Sequence, residues 1–327
     1  MNLALIGNGK IVNTALDALQ HIKDIQVKAI CARPQSKGKA EAIAQTYHIP
    51  QVSTNYEELL GQSDIDFVYL GIINLKHYDY ALQALQAGKN VILEKPSTLR
   101  GREMEELASL ARTKGLYLFE AVTFLHSPFF RKIQDCIPQL GPVHLVMCNY
   151  SKYSTRYDQY LLGEVLPVFN PRLAGGCLLD MNIYCLNFAV SLFGKPVKTT
   201  YKANLGFNGV DTSGFALLEY PHFLCQCAAA KDSDSPSFMQ IQGDKGWIKV
   251  EGGPDSLKCL HIHLQGKTET INLTTERNRM EDEFRDFLRI YQQKAYTEME
   301  HWLNVSVSVA QVAEDAYRDA HLYQDLL

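Results

Sequence analysis

Apolar residues follow two regimes along the chain. Up to about residue 122, short solid apolar runs alternate with segments whose apolar residues recur at helical spacing. Residues 2–6 read as a buried strand and Gly7-Asn8-Gly9 as a tight turn. Ile11, Ala15, Leu16, Ala18 and Leu19 then form the inner stripe of a helix. Further strands are predicted over 25–32, 66–72, 90–93 and 117–120, and helices over 37–47, 77–87 and 103–113; Gly88 stops the helix over 77–87. Parallel neighbours need crossover connections, so the alternation predicts an α/β domain over 1–122 with a doubly wound parallel sheet, a Rossmann domain.

Beyond that point strands follow one another with short turns. They are predicted over 143–150, 199–205, 214–220, 223–230, 238–242, 247–250 and 258–264. Tyr220-Pro221-His222 and Gly243-Asp244-Lys245-Gly246 are typical separators. One helix, over 178–192, interrupts them, and two more, over 275–291 and 301–323, close the chain. The expected second domain, 123–327, is α+β with a large, mostly antiparallel open sheet, and its last helix is placed against the first domain. Phe215 and Leu217 alternate with Ala216 and Leu218, so both sheet faces carry apolar residues. The helices are too few to cover both faces, which predicts a homo-oligomer, a dimer, formed through this sheet.

Composition narrows the function class. The chain of 327 residues is 46% hydrophobic and 21% charged, with a net charge of −4. No basic excess points to nucleic acid. The first apolar run meets Gly7 too soon for a signal peptide. No run is read as reaching the roughly 18 apolar residues of a membrane span. None of the eight cysteines forms a CxxC pair. A cytoplasmic protein with reduced thiols, no membrane partner and a small-molecule ligand is expected. Cys225 with Cys227, and His261 with His263, are i,i+2 pairs, but two ligands without a partner pair fall short of a metal site, and no metal is expected.

Four constellations carry chemistry. Gly7-x-Gly9 between strand and helix lets backbone N–H groups approach a pyrophosphate at a helix N-terminus; Lys10 and Ile11 open that helix. A lone GxG also fits a plain β-α turn, and Val12 stands where a third small residue is usual. The second strand ends Cys31-Ala32-Arg33-Pro34, without the carboxylate that binds an NAD ribose. Arg33 suits the 2′-phosphate of NADP, or is a solvated loop residue. Glu94-Lys95-Pro96 ends a strand, where open α/β sheets bind ligands. Lastly, Asp180 and Tyr184 follow Gly175-Gly176 and lie four apart, on one helix face; the plainer alternative is a buried Tyr with its hydroxyl satisfied. His126 and the segment holding Tyr153, Arg156, Tyr157 and Tyr160 either meet substrate or only pack.

These motifs resemble the Gfo/Idh/MocA oxidoreductase family. The likeness spans nearly the whole chain. It is carried by Gly7-Asn8-Gly9, Asn74-Leu75-Lys76-His77, Ala87-Gly88-Lys89-Asn90-Val91 leading into Glu94-Lys95-Pro96, Glu120-Ala121 with Pro128, and the run from Asn170-Pro171 through Gly175-Gly176 to Asp180 and Tyr184. The resemblance implies NADP as cofactor, with NAD as the alternative, and hydride transfer to or from a small sugar, polyol or related hydroxy/keto compound. It implies a cofactor site from Gly7, Asn8, Gly9, Lys10, Ile11, Arg33, Asn74, His77, Glu94 and Lys95, and a catalytic set of Lys95, Asp180 and Tyr184. Tyr184 would then donate the proton, Lys95 polarise the substrate oxygen and tune Tyr184, and Asp180 orient the substrate or the lysine; the roles of Tyr184 and Lys95 are open to exchange. A nicotinamide-binding regulator on the same scaffold is the alternative function. Val12, Ile73, Asn182 and the run Val122-Thr123-Phe124-Leu125-His126 depart from the family pattern, the last in a way that puts a dihydrodiol substrate in doubt.

Overall fold

The computed structural model describes residues 1–326. The solid apolar runs supply most of the strands of a six-stranded sheet. These are β1 (Asn2–Ile6), β2 (Gln26–Cys31), β3 (Gln51–Ser53), β4 (Phe67–Leu70), β5 (Asn90–Glu94) and β6 (Leu118–Ala121). They pair in parallel in the order β3-β2-β1-β4-β5-β6. The crossovers are α1 (Lys10–Leu19), α2 (Lys37–Tyr47), α3 (Tyr56–Leu60), α4 (His77–Gln86) and α5 (Gly101–Lys114). Strand order reverses between β1 and β4, so the loops after these two strands flank the crevice where doubly wound sheets bind ligands. Strand β3 and helix α3 are too short to leave a periodic signal in the sequence.

The remaining elements are α6 (Pro128–Cys136), β7 (Val143–Ser151), α7 (Tyr157–Leu161), a π-helical turn at Leu178–Asn182, and α8 (Ile183–Phe193). Strands β8 (Lys198–Leu205), β9 (Asp211–Glu219), β10 (Leu224–Ala230), β11 (Phe238–Gly243), β12 (Gly246–Glu251), β13 (Cys259–Leu264) and β14 (Lys267–Asn272) follow, then α9 (Met280–Gln292) and α10 (Tyr296–Asp319). The eight strands run β14-β13-β12-β11-β7-β10-β9-β8 and are antiparallel except for β7 beside β10. On the inner face Val146, Cys148, Ala216, Leu218, Cys225, Cys227 and Ile241 are buried, and α8 covers them. Each such side chain contributes about 1.5–3 kcal/mol if large and fully buried. The stretch Pro171–Phe193 is, against the sequence reading, long and apolar enough for a membrane span; 78% of its most apolar window lies inside the fold, as befits a core helix.

The chain divides into two compact units. The first joins Met1–Thr123 with Arg277–Val307; the second joins Phe124–Glu276 with the chain from Ser308 onward, so the boundary falls inside α10. In the first, Phe287 stacks on Phe119 at 4.5 Å between centroids, and Phe284 lies 5.8 Å from Tyr69. Arg285 and Asn278 add hydrogen bonds to the His21 and Thr14 carbonyls, each 2.7 Å. The predicted helix over 301–323 begins earlier, at Tyr296, and ends at Asp319.

Candidate active site

The first unit carries the glycine turn. Gly7 has φ +112°, a region L side chains rarely adopt, and an added Cβ would strike the Gly71 carbonyl after β4. Its N–H donates to the Cys31 carbonyl at 2.8 Å, which draws the ends of β1 and β2 together. Gly9 caps α1 without a side-chain hydrogen bond, the first turn holds no acidic residue, and a Cβ there would meet open space. A helix start with these features suits an anion. Val12 finds its room opposite Gly71: its Cγ2 would lie 2.7 Å from a Cβ at that position. Bulk missing on one side of the turn is thus exchanged for bulk on the other.

Asn8 donates from Nδ2 to the Ser36 carbonyl at 3.0 Å, tying the turn to the loop after β2. Arg33 opens that loop in extended conformation and is exposed, as is Lys10; Ile11 is half-buried. These features fit a dinucleotide with its pyrophosphate at the start of α1 and its ribose near Arg33.

Asn74 opens a short 3-10 turn after β4 and is half-buried. His77 is fully buried, with Nδ1 2.8 Å from the Pro96 carbonyl and Nε2 3.2 Å from that of Ile72. Burial pushes its pKa down, against the pull of these carbonyls. His77 therefore braces the loops after β4 and β5 instead of presenting its ring outward. Glu94 is also buried, and Tyr69 donates to its Oε1 at 2.6 Å. Lys95 follows, half-buried, with a cis peptide to Pro96.

Three of the buried carboxyls in the same unit are pushed upward. Burial pushes Glu94 up, with Tyr69 and Lys95 opposing, and drives Glu120 up to about 7. Glu120 Oε1 accepts the Ser97 N–H at 2.9 Å. Glu283 on α9 is pushed up furthest in kind, by burial and then by the charge of Glu94; neither of its oxygens has a hydrogen-bond partner among the described residues.

The second unit holds Asp180 and Tyr184. Asp180 lies within the π-helical turn and Tyr184 at the start of α8, both half-buried. The sequence predicted an ordinary helical turn here; π-turns cost regular hydrogen bonding and recur at functional sites. Asn182, fully buried, donates from Nδ2 to the Cys227 carbonyl at 2.9 Å and pins the turn to β10. The Tyr184 ring packs between Phe124, at 6.5 Å, and Tyr150, edge-on at 5.7 Å. Tyr150 also borders an open polar groove of about 650 Å³ with Lys152, Ser237, Lys249 and Asp255 on its walls.

Two residues missed in the sequence support this turn. Asp211 is buried; its Oδ2 accepts the Leu178 N–H at 2.6 Å and the Tyr201 hydroxyl at 2.9 Å, and its Oδ1 accepts the Tyr323 hydroxyl at 3.1 Å. Burial pushes this carboxyl up despite the three donors. Gly176, at φ +130°, has no space for a side chain against Asp211 and Tyr323, which explains the Gly-Gly pair. Lys231, ending the apolar run of β10, donates to Asp180 Oδ2 at 2.8 Å. A lysine closing a buried strand was the one available signal.

Of the secondary candidates, Tyr153 and Arg156 are exposed and Tyr157 is half-buried. His126 is buried. Tyr160 stacks on Phe169 and Phe207 at 4.9 and 4.4 Å and donates to Asn208, anchoring its segment. Cys225 and Cys227 face the core, while His261 and His263 bond Thr270 and Thr268 at 3.0 and 2.8 Å. The donor atoms of Glu251, Cys259 and His261 lie within 4.8 Å of one another, but Lys249 holds Glu251 Oε1 at 3.0 Å.

Residues 1–122 match the Gfo/Idh/MocA oxidoreductase family with its NAD-binding Rossmann fold, and residues 130–249 match a C-terminal domain of the same family. A trans-1,2-dihydrobenzene-1,2-diol dehydrogenase of Xenopus tropicalis is 34% identical over 81% of this chain and 79% of its own. This chain belongs to the Gfo/Idh/MocA family. It is an NAD(P)-dependent oxidoreductase. Among other family relatives, the scyllo-inositol 2-dehydrogenase (NADP(+)) of Bacillus subtilis (strain 168) is 28% identical, covering 97% of this chain and 96% of the relative. A 3-ketoreductase from Actinomadura kijaniata, crystallised with NADP and TDP-benzene, shares the fold at TM-score 0.81 and 23% identity, over 98% of this chain and 97% of that one. The matched family segments include Gly7, Arg33 and Lys95 in one and Asp180, Tyr184 and Lys231 in the other.

Proposed function

We propose that this oxidoreductase prefers NADP(H) and acts on a small sugar, polyol or related hydroxy/keto compound. The observation that carries the cofactor preference is Arg33, exposed at the end of β2 where an NAD site would place a carboxylate. The Bacillus relative is named for NADP(+), and the Actinomadura ketoreductase was crystallised with NADP, which supports the same reading. The bound nicotinamide supplies or accepts the hydride. The protein's task is to hold the substrate and move one proton. Tyr184 gives that proton to the oxygen formed on reduction, Lys95 polarises the oxygen, and Asp180 accepts a hydrogen bond from a substrate hydroxyl. His77 and Glu94 serve as supports of the cofactor loops. The setting proposed is cytoplasmic, consistent with eight cysteines in no disulfide. The assembly proposed is a dimer through the outer face of the eight-stranded sheet.

Fluorescence titration with NADPH and NADH tests the preference. Wild type binds NADPH more tightly, and Arg33→Ala erases most of the difference. Equal affinity of the wild type for the two cofactors would contradict the assignment.

A further inference from the structure

Lysine is among the residues least often buried, yet Lys231 is 2% exposed. Its ammonium has three N–H donors. Two go to oxygens, Asp180 Oδ2 and the Val168 carbonyl, both at 2.8 Å, and the nitrogen sits 4.5 Å from the centroid of the Phe169 ring. The backbone is equally fixed: the Lys231 N–H donates to the Thr212 carbonyl at 2.8 Å and its own carbonyl accepts from Ser154 at 2.9 Å. Two other carboxyls lie nearby, but Asp211 is engaged by Leu178, Tyr201 and Tyr323, and Asp232 by the Thr212 and Ser213 hydroxyls at 2.7 Å. Asp180 is the carboxylate that Lys231 meets directly.

The pair is asymmetric. Asp180 is 39% exposed while its cation is enclosed. The pair buries the lysine and presents the carboxylate. The second bond reaches the Val168 carbonyl, which also accepts the Gly176 N–H at 3.0 Å. One ammonium thus joins the 166–176 segment to the turn that bears Asp180.

We infer that Lys231 is the positioning residue of Asp180, holding its carboxylate from inside the fold and locking it to the 166–176 segment. The inference rests on the reading of Asp180 as a substrate-facing group. With the Lys231 ammonium at 2.8 Å from its Oδ2, Asp180 is placed as an acceptor for a substrate hydroxyl. The site then favours substrates with a second hydroxyl beside the carbon that exchanges hydride.

The test compares Lys231→Met, Asp180→Asn and the double variant in the full-length enzyme. Steady-state kinetics would use a polyol that the wild type oxidises, and the Asp180 carboxyl would be titrated by 13C NMR, its signal assigned by its loss in Asp180→Asn. If Lys231→Met folds poorly, Lys231→Gln keeps a donor without the charge. The expected result is a KM raised about 10–100-fold with a smaller change in kcat, unchanged NADPH affinity, and an Asp180 titration moved upward. The double variant should be no worse than Asp180→Asn alone. If Asp180→Asn impairs turnover while Lys231→Met alters neither KM nor the titration, the inference is overturned. If Asp180→Asn leaves kinetics at wild type, the underlying reading of Asp180 falls, and the inference with it.

Discussion

At the scale of single residues, the first unit holds several carboxyls where water is excluded. Glu120 is the clearest case, since burial pushes it up to about 7 while the ordinary value is about 4.3. Below both values the group is neutral in the folded and unfolded chain and contributes nothing. Between them the folded protein binds a proton that the unfolded chain has released, and stability falls as pH rises through that window. Above the folded value the full cost of a buried charge is present. Glu120→Gln keeps an acceptor for the Ser97 N–H and removes the charge. It is expected to raise the Tm at pH 8, by about 2–4 °C for each kcal/mol relieved, and to change it little at pH 5. Thermal unfolding followed by circular dichroism at the two pH values decides; the same difference at both would contradict a Glu120 titration between them.

At the scale of elements, the eight-stranded sheet has one face filled and one face open. Alternation buries Ala216 and Leu218 on β9 and leaves Phe215 48% exposed; on β10 Cys225 is buried and Leu224 is 46% exposed. Register sets Leu224 beside Leu145 of β7 and Phe215 beside Ala228, so the outer apolar residues adjoin across strands. A contiguous apolar patch of a few hundred Å² is uncommon on a monomer. Strand β14, at one edge, reads Lys-Thr-Glu-Thr-Ile-Asn and is polar enough to discourage pairing there, which favours the face as the proposed contact surface. Sedimentation at micromolar concentration is expected to show a dimer, and the double substitution Phe215→Glu with Leu224→Glu a monomer. A wild-type monomer under those conditions contradicts this.

At the scale of the whole molecule, the legible features were those written in local pattern. The change from solid runs alternating with helices to consecutive half-buried strands marks where the parallel sheet ends, and Gly7, Gly9, Lys95, Asp180 and Tyr184 each stand in a local motif. What stayed hidden depends on partners far along the chain. Asp211 acts on Leu178 and Tyr323, Lys231 on Asp180, and nothing near them in sequence announces either pairing. Within the π-turn the buried Asn182 reaches a strand carbonyl 45 residues later. Helix α9 returns to the first unit although the chain has just left the second, since its Phe284 and Phe287 complete an aromatic core begun by Tyr69 and Phe119.

Tyr184 is proposed as the proton donor that accompanies hydride transfer. The most direct measurement is stopped-flow absorbance of the reduced nicotinamide, for wild type and Tyr184→Phe, with NADPH and a panel of ketoses and related diketones. A positioned general acid is typically worth ~10²–10⁴ in rate. Wild type should oxidise NADPH with at least one member of the panel. Tyr184→Phe should lower kcat on that scale with NADPH affinity unchanged. Near-wild-type kcat with an unaltered pH profile would contradict the account, leaving Tyr184 as a ring packed between Phe124 and Tyr150.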